Sequence, residues 1–187
     1  MTEPLLLQYH LDQAIGLVGN LSEMTPNKEI APELDTLFEE LAHESPSRPI
    51  EDIEDDIWER WQQNSDKDLS ERMQHAIAAM SQQAWGDAGA VINALLRDCP
   101  FWAEVWNKRA SMLHLIGDDA QSVADICKTL QLEPRHFGAL TALGKICMRH
   151  DQKQLALIVF DTALLVNPHL HEIRRTAATL RREVLLN

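Results

Sequence analysis

Three prolines, Pro100, Pro134 and Pro168, stand 34 residues apart, and each precedes a stretch rich in helix-forming residues. Laid out in rows of 34, the chain gives Leu69–Trp102, Ala103–His136 and Phe137–Leu170. Small residues recur at the eighth column (Ala76, Ala110, Gly144) and the twentieth (Ala88, Ser122, Ala156). Large apolar residues recur at the twenty-fourth (Ile92, Ile126, Phe160) and the twenty-eighth (Leu96, Leu130, Leu164). Helices approach closely only where side chains are small, and large neighbours then fill the space between successive pairs. Proline suits the break between pairs, because it offers no N–H to the preceding helix and fits near the start of the next. Each row therefore reads as helix, turn, helix. In "LIGDDAQS", Gly117 ends one helix and Asp118 or Asp119 opens the next.

Seven glycines and a single tyrosine argue against an all-β fold. The expectation is an all-α chain. The row pattern resembles the tetratricopeptide repeat (TPR), a 34-residue helix–turn–helix unit. Row two carries the likeness with Trp106, Ala110, Leu113, Gly117, Ser122, Ile126, Leu130 and Pro134. Row three carries it with Leu140, Leu143, Gly144, Ala156, Phe160, Ala163, Leu164 and Pro168. Row one is degenerate, with Arg72 and His75 where large apolar residues are usual. The resemblance implies a right-handed superhelix of antiparallel helix pairs, and the register predicts that Ala110, Leu130 and Leu164 are buried.

The flanks are read from periodicity. Residues 31–68 are expected to form an acidic helical hairpin packed on row one. Its two faces are Leu34, Leu37, Phe38 and Leu41, then Ile50, Ile53, Ile57 and Trp61. Residues 171–187 read as a capping helix, with Ile173, Ala177, Leu180 and Val184 on one face, because a solenoid must cover its last apolar surface. Residues 1–30 carry a weaker stripe, Leu7, Leu11, Ile15 and Val18, and are expected to be partly disordered or docked.

Charge is unevenly placed. Residues 1–68 hold 17 acidic against 4 basic residues, and the remainder holds 12 against 13. Acidity disfavours phosphate backbones. Cys99, Cys127 and Cys147 match no zinc or redox spacing and suit free thiols in a reducing compartment. The start lacks the basic region of a secretory signal, and no apolar run is long enough to span a bilayer, so a cytoplasmic location without membrane attachment is expected. No metal-ligand, phosphate-loop or nucleophile motif occurs, so no enzymatic activity, metal or cofactor is expected. Trp102 stands between rows, where it either fills a gap or anchors a partner; the gap is favoured.

The resemblance implies protein binding on a concave face formed by the first helix of each row. Columns 2, 5, 9 and 12 supply that face: Ser70, Met73, Ile77 and Met80; Glu104, Asn107, Ser111 and His114; Gly138, Thr141, Lys145 and Met148. The partner-binding candidates are Met73, Ile77, Met80, Asn107, Ser111, His114, Thr141, Lys145 and Met148. A carboxylate clamp of the kind some family members use is not expected, because Met73, Ile77, Gly138 and Ala142 occupy columns that need Lys, Asn or Arg. The apolar part of the groove calls for a cover, either a partner segment or residues 5–18 of the same chain. The alternative function is RNA binding through Arg174, Arg175, Arg181 and Arg182 of the last helix, which the overall charge opposes.

Overall fold

The computed structural model describes residues 3–26, 31–43 and 46–185. The parts of the terminal, hairpin and capping segments at 1–2, 27–30, 44–45 and 186–187 lie outside them. The described residues form ten α-helices: α1 Glu3–Asn20, α2 Ala31–Leu41, α3 Ile50–Gln62, α4 Lys67–Ser81, α5 Trp85–Asp98, α6 Ala103–Leu115, α7 Asp119–Leu132, α8 Phe137–Arg149, α9 Lys153–Val166 and α10 His171–Leu185. A single 3₁₀ turn, Leu21–Glu23, follows α1. The chain is an all-α, TPR-like solenoid in which α4–α5, α6–α7 and α8–α9 are the packed pairs.

The 34-residue period is kept to the residue except at the start of α4, which begins at Lys67, two residues early. Helices α5, α7 and α9 start at Trp85, Asp119 and Lys153 and stop at Asp98, Leu132 and Val166. Helices α6, α8 and α10 each start three residues after their proline. The backbone turns left-handed once per row after the first helix, at Gln83 (φ 58°), Gly117 (φ 90°) and Asp151 (φ 56°). Only row two has glycine at this position. Asp118 then caps α7 by accepting a hydrogen bond from Gln121 N at 3.1 Å.

The small columns have the packing role expected of them. Ala76, Ala88 and Ala156 are fully buried, and Ser122 satisfies its buried hydroxyl on Ala110 O at 2.8 Å. A Cβ on Gly144 would lie 2.3 Å from Cε1 of Phe160, so the twenty-fourth column can hold phenylalanine only because the eighth holds glycine. Ala110 and Leu130 are buried as the register requires, whereas Leu164 is only half-buried, with Ala163 taking the fully enclosed place beside it. Row one closes with polar pairs: Arg72, at the column of Trp106 and Leu140, pairs with Asp98 at 2.8 Å, and His75, at the column of Arg109 and Leu143, lies 2.9 Å from Asp87.

Three flanking pieces dress this solenoid. α10 buries Ile173, Ala177 and Leu180 on α9, as a cap should. α1 packs on α7 and α9, on the outer layer formed by the second helix of each pair. Its buried stripe is Leu11, Ala14 and Val18, continued by Leu21 in the 3₁₀ turn, and Ile15 is 44% exposed. The stripe runs through Ala14 rather than Ile15 because a small residue lets α1 lie close to α7. Residues 5–18 therefore cover the outer layer and not the concave face. The α2–α3 hairpin makes its own core of Leu34, Phe38, Leu41, Ile53, Ile57 and Trp61, joined by Phe137 at the start of α8. It does not rest on row one alone. It reaches α4, the first turns of α6 and α8, and the turn before α10.

Candidate interaction groove

The inner face is lined by α4, α6 and α8, and the structure divides it into a covered half and an open half. The covered half lies at the starts of these helices, under α3. Trp58 sits against Gly138, where an added Cβ would come within 2.4 Å of its Cη2. Trp61 stacks on His136 with ring centroids 4.0 Å apart and planes 10° from parallel. Trp102 is buried and donates from Nε1 to the carbonyl of Trp61 at 2.7 Å, so it fills the gap between rows and pins the end of α3. Asn167 donates to Glu54 at 2.6 Å, and His169 lies 3.0 Å from the carbonyl of Leu41.

Beneath the hairpin lies a polar knot. Glu104 is fully buried. Its Oε2 accepts from His136 Nε2 at 2.9 Å and from Asn107 Nδ2 at 2.8 Å, and its Oε1 faces the Lys108 ammonium at 2.8 Å. His136 Nδ1 accepts from Ala139 N at 3.1 Å, which caps α8 and assigns the ring proton to Nε2. Burial opposes a charge on Glu104, but the His136 hydrogen bond and the nearby Lys108 ammonium outweigh it and hold the carboxyl below its usual range.

The candidate residues fall on both sides of this division. Met73 is fully buried in the α4–α5 core, and Asn107 is 5% exposed within the polar knot, so neither presents a side chain to the open face. Ile77, Met80, Ser111 and Thr141 are half-buried. His114 is half-buried, with Nδ1 2.7 Å from Asp119. Asp119 also faces His150 at 2.8 Å and Arg149 at 3.1 Å, and so ties the turns of rows two and three together. Lys145 and Met148 are exposed. The open half is thus Ile77, Met80, Ser111, His114, Lys145 and Met148, with Thr141 at its border.

Sequence reasoning placed Glu104 and Gly138 on groove columns but not as the seat of the chain's own hairpin. The available signal was the pair itself, an acid and a glycine at a column where a helix would otherwise show ordinary side chains. Of the four arginines on α10, Arg181 is paired with Asp161 at 2.6 Å and Arg174 donates to the carbonyl of Pro168, while Arg175 and Arg182 have no such partner among the described residues. Burial pushes the Cys127 thiol up to about 11 and Cys147 up to about 12, so both stay protonated at neutral pH. Among the described residues, no group of three or more His, Cys, Asp or Glu side chains could hold a metal ion, and no helix is long and apolar enough to cross a membrane.

Helix pairs repeating every 34 residues, with small residues at the two crossing columns, define a helical-repeat protein. The chain is 30% identical over 135 residues to a curated TPR repeat-containing protein of Rhizobium etli. It belongs to the TPR-repeat proteins. The match covers 72% of this chain and 66% of that relative's length. No family model matches the chain.

Proposed function

We propose that this protein is a non-enzymatic interaction scaffold that holds a peptide or helix of another protein on the open half of its inner face. The observation that carries this reading is the state of that half. Ile77 and Met80 are only half-buried and Met148 is 40% exposed, on inner-face columns of rows one and three. Methionine adapts to varied apolar shapes, which suits a recognition surface. Membership of the TPR-repeat proteins supports protein binding as the general role. The α2–α3 hairpin limits the length of groove on offer, since it already occupies the starts of the inner helices.

The test compares proteins retained on the immobilised chain with those retained by Met80→Glu and Met148→Glu variants. Ile158→Asp, an exposed change on α9, serves as control. A specific partner should be lost with both groove variants and kept with the control, while circular dichroism stays unchanged. A partner retained equally by all forms would place binding elsewhere, and the acidic surface at Glu51–Glu59 would become the leading candidate.

A further inference from the structure

The far end of the open half contains a crevice of about 310 Å³ between the end of α8, the start of α9 and α10. It exists because α10 packs on α9. Met148 and Leu180 supply its apolar surface, Thr176 and Thr179 one wall, and Lys153, Glu183 and Arg175 its rim. The threonine hydroxyls donate to their own helix, to Glu172 O at 3.1 Å and Arg175 O at 3.2 Å, so the wall offers mainly methyl groups inward. Lys153 pairs with Glu183 at 3.0 Å and has Asp151 3.9 Å away, so it contributes no surplus cation. Lys145, one turn before Met148 on the same face, is exposed and has no carboxylate partner among the described residues, and the same holds for Arg175 and Arg182. The surplus charge at this crevice therefore comes from Arg175 on its rim and Lys145 beside it and is positive, in a protein whose formal net charge is −12.

We infer that this crevice seats an acidic linear segment of a partner protein. This rests on the inner-face reading above and specifies its chemistry. One apolar side chain of the segment drops between Met148 and Leu180, and flanking carboxylates face Lys145 and Arg175. The overall negative charge does not prevent this at physiological ionic strength, where the screening length is about 8 Å and local cations dominate. An RNA strand would use the same cations, but the crevice has, among the described residues, no aromatic side chain on which a base could stack. The arginines that could extend the basic surface along α10 are spent, Arg181 on Asp161 and Arg174 on a backbone carbonyl.

The probe is a short fluorescein-labelled peptide in which Glu and Asp are interleaved with Leu, titrated against the full chain by anisotropy at physiological ionic strength. Three further probes accompany it: the same peptide with Lys for every acid, the same peptide with Ser for every Leu, and a short oligouridylate. The acidic, Leu-containing peptide should bind saturably and better than all three. Lys145→Glu and Arg175→Glu should each weaken it roughly tenfold or more. Arg97→Glu, an exposed change on α5, should leave it unaltered. Tighter binding of the basic peptide, the serine peptide or the oligouridylate overturns the inference, as does no saturable binding of the acidic one. If the acidic peptide binds, is indifferent to Lys145→Glu and Arg175→Glu, and is lost with Met80→Glu, the inner face remains the binding face and the crevice assignment falls. If Met80→Glu also has no effect, both fall.

Discussion

At the residue scale, the left-handed positions show how one conformation is bought three ways. Gly117 adopts it freely, while Gln83 and Asp151 hold it with a Cβ that crowds the backbone. Gln83→Gly and Asp151→Gly should each raise stability by about 1 kcal/mol, read as a higher urea midpoint at unchanged slope. Gly117→Ala should lower it by about 1–2 kcal/mol, although nothing lies within 4 Å of the added Cβ, because its cost is purely conformational. A neutral result at all three would show that the turns relax. The polar knot gives a second residue-scale expectation. The folded pKa of Glu104 lies below its unfolded value near 4.5. Its contribution to stability is then fully present above that value and is lost as pH falls through the folded pKa. Glu104→Gln should cost about 1–3 kcal/mol at neutral pH and flatten the acid limb of stability against pH, followed by urea midpoints. An unchanged limb would remove Glu104 from the account of acid sensitivity.

At the scale of elements, the hairpin and the repeats meet through aromatic rings and one glycine. Gly138 leaves room for the edge of Trp58, and Trp58 and Trp61 fill the space over His136 and Phe137. Gly138→Ala should push α3 off the starts of α6 and α8 while the repeats stay folded. The tryptophan emission should shift to longer wavelength and the 63–66 connection should become protease-sensitive, with little change in helix content. Gly144→Ala offers the contrast. Its Cβ meets Phe160 inside a helix pair, so the penalty, about 1–3 kcal/mol, should fall on global stability instead. Equal behaviour of the two variants would mean that the hairpin and the repeats unfold as one unit.

For the whole molecule, the two ends of the solenoid are finished differently. Row one ends in polar pairs, Arg72 with Asp98 and His75 with Asp87, which suit a face that meets water. Row three instead presents an apolar face, which α10 covers with Ile173, Ala177 and Leu180. Removing the residues after Leu170 should expose α9 and cause self-association or local loss of row three, visible in light scattering and hydrogen exchange. A monomer with unchanged thermal stability would contradict the capping role. Removing α1 should not open the groove, because α1 lies on the outer layer. The segment that shields part of the inner face is the acidic hairpin.

What the sequence determined by itself is local. The 34-residue register, the crossing columns, the glycine turn at Gly117 and the apolar face of α10 all follow from spacings within about one row. There, backbone propensity, turn chemistry and helical periodicity leave a direct trace. A repeat register also assigns faces, which is why the sequence could nominate candidate inner-face residues. The tertiary structure decided where the flanking helices dock. The contacts that place the hairpin join residues more than a hundred positions apart, Glu54 with Asn167 and Leu41 with His169. Such pairings depend on shape and on a few satisfied polar groups and have no period to read. They removed Met73 and Asn107 from the open face, moved α1 to the outer layer, and left the crevice beside α10 as a product of packing between elements.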